Sequence, residues 1–353
     1  ERRLVRGCVV RGGGCMWPCF FVLCSCAVMS AGGAASKPSL QQQHRPLGEP
    51  AAPLMQAQQG AAGGRPQRLR LAPSVDASGV FQHRLCALDT TPATAQPGEG
   101  GAGGESFALV LVNYKLSRPL LERLWSNATV RMCADGAINR LYRTFDDDET
   151  RSRFIPEYIR GDLDSVEDDV RAYYEHKGTK IVQDTSQDTT DLQKCIELLL
   201  TLDLEINQVV VMGAFGGRID HEFSHYHVLY RFPYVNIVLI SQKRVAFLLV
   251  EGKHQVHDTH VGPMCGLIPL GDPCKRVHTE GLQWDLDGKE MSFTGLISTS
   301  NKMVASPVSI STTDPLVWVA EIQGFKDHPV DLNSEPVCPT LDLPLAPGEG
   351  EGE

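Results

Sequence analysis

The amino-acid sequence predicts an α/β domain, with a parallel sheet flanked by helices in a Rossmann-like arrangement, followed by an all-β sandwich domain. Over residues 105–242, apolar runs of strand length alternate with segments whose apolar residues recur at helical spacing. This alternation is typical of parallel strands joined by crossover helices. Over residues 243–323, short apolar runs are separated by Gly, Pro and Asp, which favours antiparallel strands packed as a sandwich.

Local signals place the elements of both domains. Residues 107–112 (FALVLV) are apolar throughout, as expected of a strand that is buried on both faces. Ser117 is a suitable cap for a helix that has Pro119 in its first turn. The other predicted strands are 130–134, 179–182, 209–212, 245–250, 266–270, 275–279, 290–293, 309–312 and 316–320, and the other predicted helices are 137–142, 166–177, 191–202 and 221–230.

The two ends of the chain differ from the middle. Residues 1–104 are expected to be a disordered or non-native extension, because most of this segment is rich in Gln, Ala, Pro and Gly. An alternative is a signal peptide, since four arginines precede or flank an apolar run within residues 16–35. Residues 324–353 are rich in Pro and acids and are expected to be a loose tail. Deletion of residues 1–104 is therefore expected to leave activity intact.

Net charge and cysteine use limit the classes of partner. The formal net charge is −10 and no long basic tract is present, which argues against nucleic acid as a partner. The eleven cysteines include no Cys-x-x-Cys pair, so zinc has little support. Cysteines within apolar strand and helix patterns are expected to be buried free thiols, which favours a cytoplasmic location. The N-terminal apolar run is too short for a membrane span, and no membrane partner is expected.

The main chemical signal is the pair Asp162 and Asp164, which lies between Gly161 and Ser165. Mg²⁺ prefers oxygen ligands and is usually held by one or two carboxylates together with substrate phosphates. Gly161 allows the backbone to approach a ligand closely, and Ser165 can cap the helix that follows. Because an Asp-x-Asp pair is also common in solvated turns, its meaning depends on the other loops.

Further polar loops follow the other predicted strands. Asp135 follows the second strand, residues 187–191 (QDTTD) follow the third and residues 213–220 (GAFGGRID) follow the fourth. Ligands of parallel sheets bind at the carboxyl ends of the strands, so these loops are expected to converge. Acids gathered on one edge repel one another unless a divalent cation lies among them. The glycine loop lacks the Lys-Ser/Thr ending of a P-loop.

Five motifs, taken in order, resemble those of the eukaryotic thiamine pyrophosphokinases. They are residues 133–142 (CADGAINRLY), 161–165 (GDLDS), 187–191 (QDTTD), 217–220 (GRID) and 298–301 (STSN). The resemblance implies an N-terminal α/β catalytic domain, a C-terminal β-sandwich domain and a homodimer with active sites between its subunits. The implied reaction transfers pyrophosphate from ATP to the hydroxyl of thiamine and leaves AMP.

The resemblance also implies roles for individual residues. Asp162, Asp164 and Asp191 are expected to be catalytic and to bind Mg²⁺, which would bridge the ATP phosphates. The residues expected to hold the nucleotide and its phosphates are Asp135, Asn139, Gln187, Thr190, Arg218 and Asp220. The residues expected to bind thiamine are Ser298, Thr299, Ser300 and Asn301. Trp284 is a candidate for stacking on the cationic ring of thiamine, or alternatively a core residue of the sandwich. Residues 302–307 depart from the family pattern, which leaves the neighbouring acceptor contacts open.

Two other functions stay open at the level of sequence. An Asp-x-Asp pair behind an N-terminal apolar segment is also typical of a metal-dependent glycosyltransferase of the secretory pathway. Such an enzyme would use a nucleotide sugar and carry sugar chains at Asn127, which begins a glycosylation sequon. The other alternative is a non-catalytic module that binds thiamine or nucleotide, although the intact acids argue against it.

Overall fold

The computed structural model describes residues 74–89 and 106–323. The strands in this part of the chain are β1 (Ser74–Val75), β2 (Phe81–His83), β3 (Phe107–Leu111), β4 (Val130–Ala134), β5 (Tyr158–Gly161), β6 (Lys180–Gln183), β7 (Gln208–Met212), β8 (Ile237–Ser241), β9 (Arg244–Leu249), β10 (Gly252–Val256), β11 (Val261–Ile268), β12 (Cys274–Glu280), β13 (Lys289–Met291), β14 (Ser298–Lys302), β15 (Val308–Thr312) and β16 (Leu316–Ile322). The helices are α1 (Arg118–Asn127), α2 (Ala137–Arg143), α3 (Asp148–Arg151), α4 (Asp168–His176), α5 (Asp191–Thr201) and α6 (Ile219–Arg231).

A mixed sheet of ten strands, in the order β14-β11-β16-β9-β8-β7-β3-β4-β5-β6, forms the centre of the described structure. The six strands from β8 to β6 in that order are parallel to their neighbours, which confirms the predicted α/β architecture. Every residue of β3 is buried. Leu109 and Leu111 pack in one core with residues of α1, α2 and α4, whereas Ala108 and Val110 pack in a second core with residues of α5 and α6. Helices therefore cover both faces of the parallel strands.

The second part of the described chain is β-rich, as predicted, but some of its strands belong to the same sheet as the parallel strands. β9 pairs antiparallel with β8, and β16 pairs antiparallel with β9, so the main sheet continues from the parallel strands into the antiparallel ones. A second sheet, in the order β1-β2-β10-β15-β12-β13, completes the sandwich. Trp318 of β16 and Ile310 of β15 lie in one core cluster between these strands. The predicted boundary at residue 242 falls in the tight turn between β8 and β9.

Four strands within residues 106–323 were not predicted, namely β5, β8, β10 and β14. In β5, Ile159 and Gly161 are buried while Tyr158 and Arg160 are partly exposed, so only one large apolar residue marks the strand. β8 contains an apolar run, residues 237–240, whose positions are all buried. This run was available in the sequence as a signal for a strand. β5 has the larger consequence for function, because its end at Gly161 places the acidic loop on the carboxyl edge of the sheet.

Residues 74–89 contradict the expectation that the whole segment 1–104 is disordered. β2 pairs in parallel with β10, and Leu85, Ala87 and Leu88 are buried in the main core. The Nδ2 of Asn127 in α1 donates to the carbonyl oxygens of Ala87 and Asp89, at 3.2 and 3.0 Å. Only a few apolar residues do this packing, and the Gln- and Gly-rich sequence around them obscures their signal. The rest of the N-terminal segment, including the stretch read as an alternative signal peptide, and the C-terminal tail lie outside the described residues.

The longest helix of the described chain, α6, has 13 residues. Within residues 74–89 and 106–323, no helix combines the length and apolar character that are needed to cross a membrane.

We expect Leu88→Ala to destabilise the protein, because it opens a cavity where residues 74–89 meet the core. The expected loss in the free energy of unfolding is about 2–5 kcal/mol. Val75→Ala is a matched control in the same segment, since Val75 is exposed and its truncation should change stability by less than about 0.5 kcal/mol. Urea denaturation measures both. Equal, small effects would mean that this segment does not contribute to the folded core.

A buried histidine pair joins the same segment to the second sheet. The Nε2 of His83 in β2 lies 3.0 Å from the Nδ1 of His254 in β10, and the Nε2 of His254 lies 2.8 Å from the carbonyl oxygen of Val250. Because a carbonyl only accepts, His254 donates from Nε2 and accepts from His83 at Nδ1, so the His254 ring is neutral. Burial lowers the pKa of His83 to about 3 and the pKa of His254 to about 4.

Acidification is expected to destabilise the fold through this pair. In the unfolded chain both rings bind a proton near their ordinary pKa of 6.5, whereas in the folded chain they stay neutral down to about pH 4. The unfolded state therefore binds more protons, and the free energy of unfolding falls as the pH is lowered from about 6.5 towards 4. The double variant His83→Phe/His254→Phe should lose less stability over this range, as measured by urea denaturation at several pH values. Parallel losses in both proteins would contradict this assignment.

Candidate active site

Three carboxylates meet at the carboxyl edge of the parallel sheet. Asp135 directly follows β4, and Asp162 and Asp164 follow the neighbouring strand β5. One oxygen from each of these side chains lies within 4.8 Å of one from each of the others. The expectation that acids from separate loops converge on this edge agrees with their placement here.

The backbone of these loops brings the acids together. Asp135 has φ +44° and Leu163 has φ +68°, a region that residues other than glycine rarely adopt and that recurs at functional sites. Leu163 is buried in the core while Asp164 beside it is exposed, so the core anchors the middle of the acidic loop. A Cβ at Gly161 would lie 2.8 Å from the Cβ of Asp135 and 3.2 Å from the Oδ1 of Asp191. Only glycine therefore lets these acids approach the end of β5.

Hydrogen bonds orient the two acids of the loop. The Oδ2 of Asp162 accepts from the Nε2 of Gln187 at 3.1 Å, and the Oδ1 of Asp164 accepts from the Oγ of Ser165 at 2.9 Å. Partial burial acts to raise the pKa of Asp162, but the bonds from Gln187 and from the Asp164 backbone, together with the charge of Lys194, lower it overall. Asp162 is therefore held ionised, as a metal ligand must be.

Asp135 provides the test of whether the site fits a cation. Its side chain is 6% exposed, and its Oδ1 is buried without a hydrogen-bond partner. A buried carboxylate oxygen without a partner is costly, and a divalent cation between the three acids would compensate it. Three carboxylates form a donor set suited to a hard cation such as Mg²⁺. The residues present therefore fit the ion that the sequence predicts.

Asp191 lies beside this group, although the sequence predicts it as a member of the metal-binding trio. Its Oδ1 is 3.2 Å from the Nζ of Lys194. Burial raises the pKa of Asp191, the bond from Lys194 acts to lower it, and the charges of Asp135 and Asp162 act to raise it. The three acids in closest contact are thus Asp135, Asp162 and Asp164. Asp191 is a neighbour that forms an ion pair with Lys194.

Lys194 is a residue of this site that sequence reasoning missed. It lies in the first turn of α5, three residues after Asp191, and it is 1% exposed. A lysine is almost never so deeply buried unless a carboxylate accompanies it. The spacing of Asp191 and Lys194 on a predicted helix was an available signal, since residues three apart lie on the same face. Its ammonium group offsets part of the negative charge on this edge of the sheet.

Two residues that are predicted to bind the nucleotide, Asn139 and Thr190, form hydrogen bonds that hold the loops together. Asn139 is buried, donates to the carbonyl oxygen of Ser165 at 2.7 Å and accepts from the backbone N–H of Glu167 at 3.2 Å. Thr190 caps α5, because its Oγ1 accepts from the backbone N–H of Gln193 at 3.3 Å. Their side chains therefore fix the positions of the acidic loop and of the helix that carries Asp191.

Arg218 and Asp220 form an exposed ion pair at the start of α6. The guanidinium Nε donates to the Oδ1 of Asp220 at 3.1 Å, and Nη2 donates to the other oxygen. This pair lowers the pKa of Asp220 and raises the pKa of Arg218. Both contacts are made within the loop, so the structure does not bring these two side chains into the acidic group.

The glycine loop is shaped by a tyrosine from the loop after β3. Gly216 and Gly217 have φ +99° and +72°, and a Cβ at either would lie 2.8 Å or less from an atom of Tyr114. The backbone N–H of Gly216 also donates to the Oε2 of Glu222 at 2.9 Å. These glycines are required because the Tyr114 ring rests on their backbone, and nothing in the sequence near the motif pointed to that contact.

The predicted thiamine residues divide into two groups. In β14, Ser298 and Asn301 are buried while Thr299 and Ser300 are exposed. Ser300 lines an open groove of about 370 Å³ together with Phe215 and Glu222 of the glycine loop and α6. Trp284 is 58% exposed, so its alternative role as a core residue is wrong. Trp318, which is fully buried, is the tryptophan of the sandwich core.

Comparisons with known proteins match both halves of the described chain. Residues 121–240 match the family model for the catalytic domain of thiamin pyrophosphokinase, and residues 253–317 match the model for its vitamin B1 binding domain. Thiamine pyrophosphokinase 3 of Oryza sativa subsp. japonica is 41% identical over 239 residues, which are 62% of this chain and 88% of the relative. The chain belongs to the thiamine pyrophosphokinase family. The yeast relative, from Saccharomyces cerevisiae, is 30% identical over 285 residues, covering 65% of this chain and 88% of its own.

A solved structure agrees with this family. The crystal structure of yeast thiamin pyrophosphokinase superposes with a TM-score of 0.56 and 28% sequence identity, over 62% of this chain and 87% of that one. The Candida albicans thiamin pyrophosphokinase superposes equally well, with a TM-score of 0.56 over 62% of this chain and 89% of its own. The resemblance stated from the five motifs, and the fold that it implied, are confirmed.

Binding of Mn²⁺ or Mg²⁺ without nucleotide is expected to raise the free energy of unfolding, by about 2–3 kcal/mol at a hundredfold excess over the dissociation constant. Asp135→Asn should lose most of this gain, because it removes the negative charge of the carboxylate that contains the buried oxygen without a partner. Asp188→Asn is the matched control, since Asp188 is an exposed acid in the adjacent loop and its loss changes the net charge equally. Calorimetry with and without the metal measures the gain. A metal-induced gain that persists in Asp135→Asn would contradict the site.

Proposed function

We propose that this chain transfers the pyrophosphoryl group of ATP to the hydroxyl of thiamine and releases thiamine diphosphate and AMP. The relatives reported above are named thiamine pyrophosphokinases, and both of the family's domains are matched. The observation that carries the proposal is the group formed by Asp135, Asp162 and Asp164, with one buried oxygen that a cation would satisfy.

Mg²⁺ is the proposed cofactor, held by Asp135, Asp162 and Asp164 with Asp191 beside them. When bound, it would supply positive charge that offsets the negative charge on the phosphates during transfer. The protein contributes positioning: Gln187 orients Asp162, Ser165 orients Asp164, and Lys194 orients Asp191. Phosphoryl transfer requires little more than such positioning and charge stabilisation from a protein.

The nucleotide is proposed to lie along the carboxyl edge of the sheet. Asn139 and Thr190 contribute to this nucleotide site indirectly, since they hold the acidic loop and α5 in place. Arg218 is exposed and its guanidinium already has the forked geometry that suits a phosphate. We propose that it exchanges Asp220 for phosphate oxygens when ATP binds.

Thiamine is proposed to bind at the β14 side of the site. It is an aromatic cation, and an exposed indole such as that of Trp284 offers it a π-face. Thr299 and Ser300 are the β14 residues whose exposed hydroxyls are open to its polar groups. Ser300 also lines the groove that reaches Phe215 near the glycine loop, which supports a site shared by the two parts of the fold.

A homodimer with active sites at the subunit interface is proposed on the basis of exposed apolar surface. Ile219, Phe223 and Phe293 are between 54% and 71% exposed. Phe223 and Phe293 line one open cavity together with Tyr230 and Leu270. Large exposed apolar side chains grouped in this way are typical of interaction surfaces. A second copy of the chain would cover them near the start of α6, beside the glycine loop.

A cytoplasmic location is proposed from the thiols. Within the described residues, Cys133, Cys195, Cys265 and Cys274 are free and buried, which suits a reducing compartment. The glycosyltransferase alternative is not favoured by the family matches. The amide nitrogen of Asn127, its expected glycosylation position, donates to two backbone carbonyls of the folded segment 74–89.

The direct test is formation of AMP and thiamine diphosphate by the full chain from thiamine and Mg-ATP. We expect one AMP for each thiamine diphosphate, and none when thiamine or Mg²⁺ is omitted. The full chain is used because residues 74–89 are part of the fold. Tight binding of thiamine without AMP release would indicate the non-catalytic module instead.

Asp164→Asn is expected to lower kcat by roughly a hundredfold or more, because it removes one charge from the group that would hold Mg²⁺. Its fold should survive, since Asp164 is exposed. Asp188→Asn serves again as the control and should retain turnover within about twofold of the wild type. Circular dichroism confirms folding in both variants. Near-normal turnover in Asp164→Asn would remove this residue from the mechanism.

A further inference from the structure

We infer that Asn301 is a positioning residue for Trp284: its side-chain amide fixes the backbone that carries the exposed indole, and it does not contact the substrate itself. This inference rests on the proposed function, and it replaces the direct thiamine contact that the family resemblance implies for Asn301.

The hydrogen bonds of Asn301 are fully used within the protein. The residue is 2% exposed. Its Oδ1 accepts from the backbone N–H groups of Trp284 and Lys302, at 3.2 and 2.8 Å. Its Nδ2 donates to the carbonyl oxygen of Trp284 at 2.9 Å and to the Oγ of Ser298 at 3.2 Å. An asparagine side chain has two acceptor and two donor positions, so none is left for a ligand.

The orientation of this amide is fixed by its partners. The backbone N–H of Trp284 can only donate and the carbonyl of Trp284 can only accept, so the oxygen and nitrogen of Asn301 cannot be exchanged. Both backbone groups of one residue are thus bonded by one side chain. The amide replaces the strand partner that this backbone would otherwise need.

Further hydrogen bonds fix the rest of the Trp284 loop. The Asp285 carboxylate accepts from the backbone N–H groups of Gly281 and Leu282, at 3.2 and 3.1 Å, and from the Oγ1 of Thr279 at 2.8 Å. The backbone N–H of Gln283 donates to the carbonyl oxygen of Lys302 at 2.8 Å. Residues 281–285 therefore have a fixed backbone, and from it the Trp284 side chain extends into solvent.

A fixed backbone beneath an exposed indole has a functional consequence. A tryptophan held in this way loses little conformational freedom when a flat ligand stacks on it, so more of the stacking energy appears as affinity. The burial pattern of β14 supports the same division of roles. Ser298 and Asn301 face the interior and support the loop, whereas Thr299 and Ser300 are exposed and remain available to the ligand.

The kinetic test uses Asn301→Leu, which keeps the branched shape of the side chain, although it is larger, and removes its four hydrogen bonds. We expect the KM for thiamine to rise roughly tenfold, with kcat and the KM for Mg-ATP within about threefold of the wild type. Lys302→Ala is the control, because this neighbouring side chain is exposed and its backbone N–H is retained. Unchanged KM for thiamine in folded Asn301→Leu would overturn the inference.

A double-mutant cycle separates positioning from direct contact. If Asn301 acts through Trp284, the variant Trp284→Ala/Asn301→Leu should have the same KM for thiamine as Trp284→Ala alone. A further rise in KM, as large as that caused by Asn301→Leu in the wild-type background, would mean that Asn301 contacts thiamine and would overturn the inference.

Hydrogen exchange tests the support of the loop without any assay of activity. In Asn301→Leu, amides of residues 281–285 should exchange roughly tenfold faster, while those of β15 keep their wild-type protection and show that the sandwich is folded. If Asn301→Leu does not fold, Asn301→Asp carries the same expectation, because it sets a carboxylate oxygen against the Trp284 carbonyl. Unchanged exchange in either folded variant overturns the inference. If the wild type forms no AMP, the proposed function fails, and the exchange measurement still decides the role of Asn301.

Discussion

Mutual repulsion among carboxylates at one edge of the parallel sheet is the constraint on which the rest of the site depends. Adjacent parallel strands end at the same level, so Asp135 after β4 and Asp162 after β5 are brought close together by strand register. The fold gives them few ways to separate. Gly161 allows the approach, Leu163 anchors the loop in the core, and Asn139 holds the loop to α2. Packing in the core therefore offsets the electrostatic repulsion among these acids. A bound cation would reduce that repulsion.

Lys194 shows how the fold limits this repulsion before a cation arrives. Its buried ammonium group forms an ion pair with Asp191, the acid beside the other three. The remaining charge is concentrated on Asp135, Asp162 and Asp164, where the buried oxygen without a partner is found. The protein thus separates an internal ion pair, which stabilises the loop, from an open group of acids, which is suited to an exchangeable ion.

The strand that carries the proposed thiamine residues lies in the same sheet as the parallel strands. β9 pairs with the last parallel strand on one side and with β16 of the sandwich on the other, so the sheet is continuous between them. Residues 74–89 bridge the same two parts, since β2 adds to the second sheet while Asn127 of α1 bonds the chain that follows. β14 and the strands that precede the acidic group therefore belong to one sheet.

The sequence predicted those features that depend on position along a strand or helix. Asp135 was predictable because it follows a predicted strand, and β3 because it is apolar throughout. Asp162 and Asp164 were predictable as a carboxylate pair behind Gly161, although the strand before them was not predicted. Features that depend on contacts between distant segments were not. Tyr114 rests on Gly216 and Gly217 from another loop, the amide of Asn301 is used by Trp284, and residues 74–89 are ordered by β10 rather than by their own composition. Arg218 and Asp220 lie close together in sequence, and their mutual pairing in solvent is the outcome that proximity favours.

The most direct measurement is a crystal structure of the full chain grown with Mn²⁺, with the ion located by its anomalous scattering. We expect one principal peak within coordination distance of oxygens of Asp135, Asp162 and Asp164, with Lys194 still bonded to Asp191. No peak at this edge of the sheet at saturating Mn²⁺, or a peak held by other residues, would contradict it.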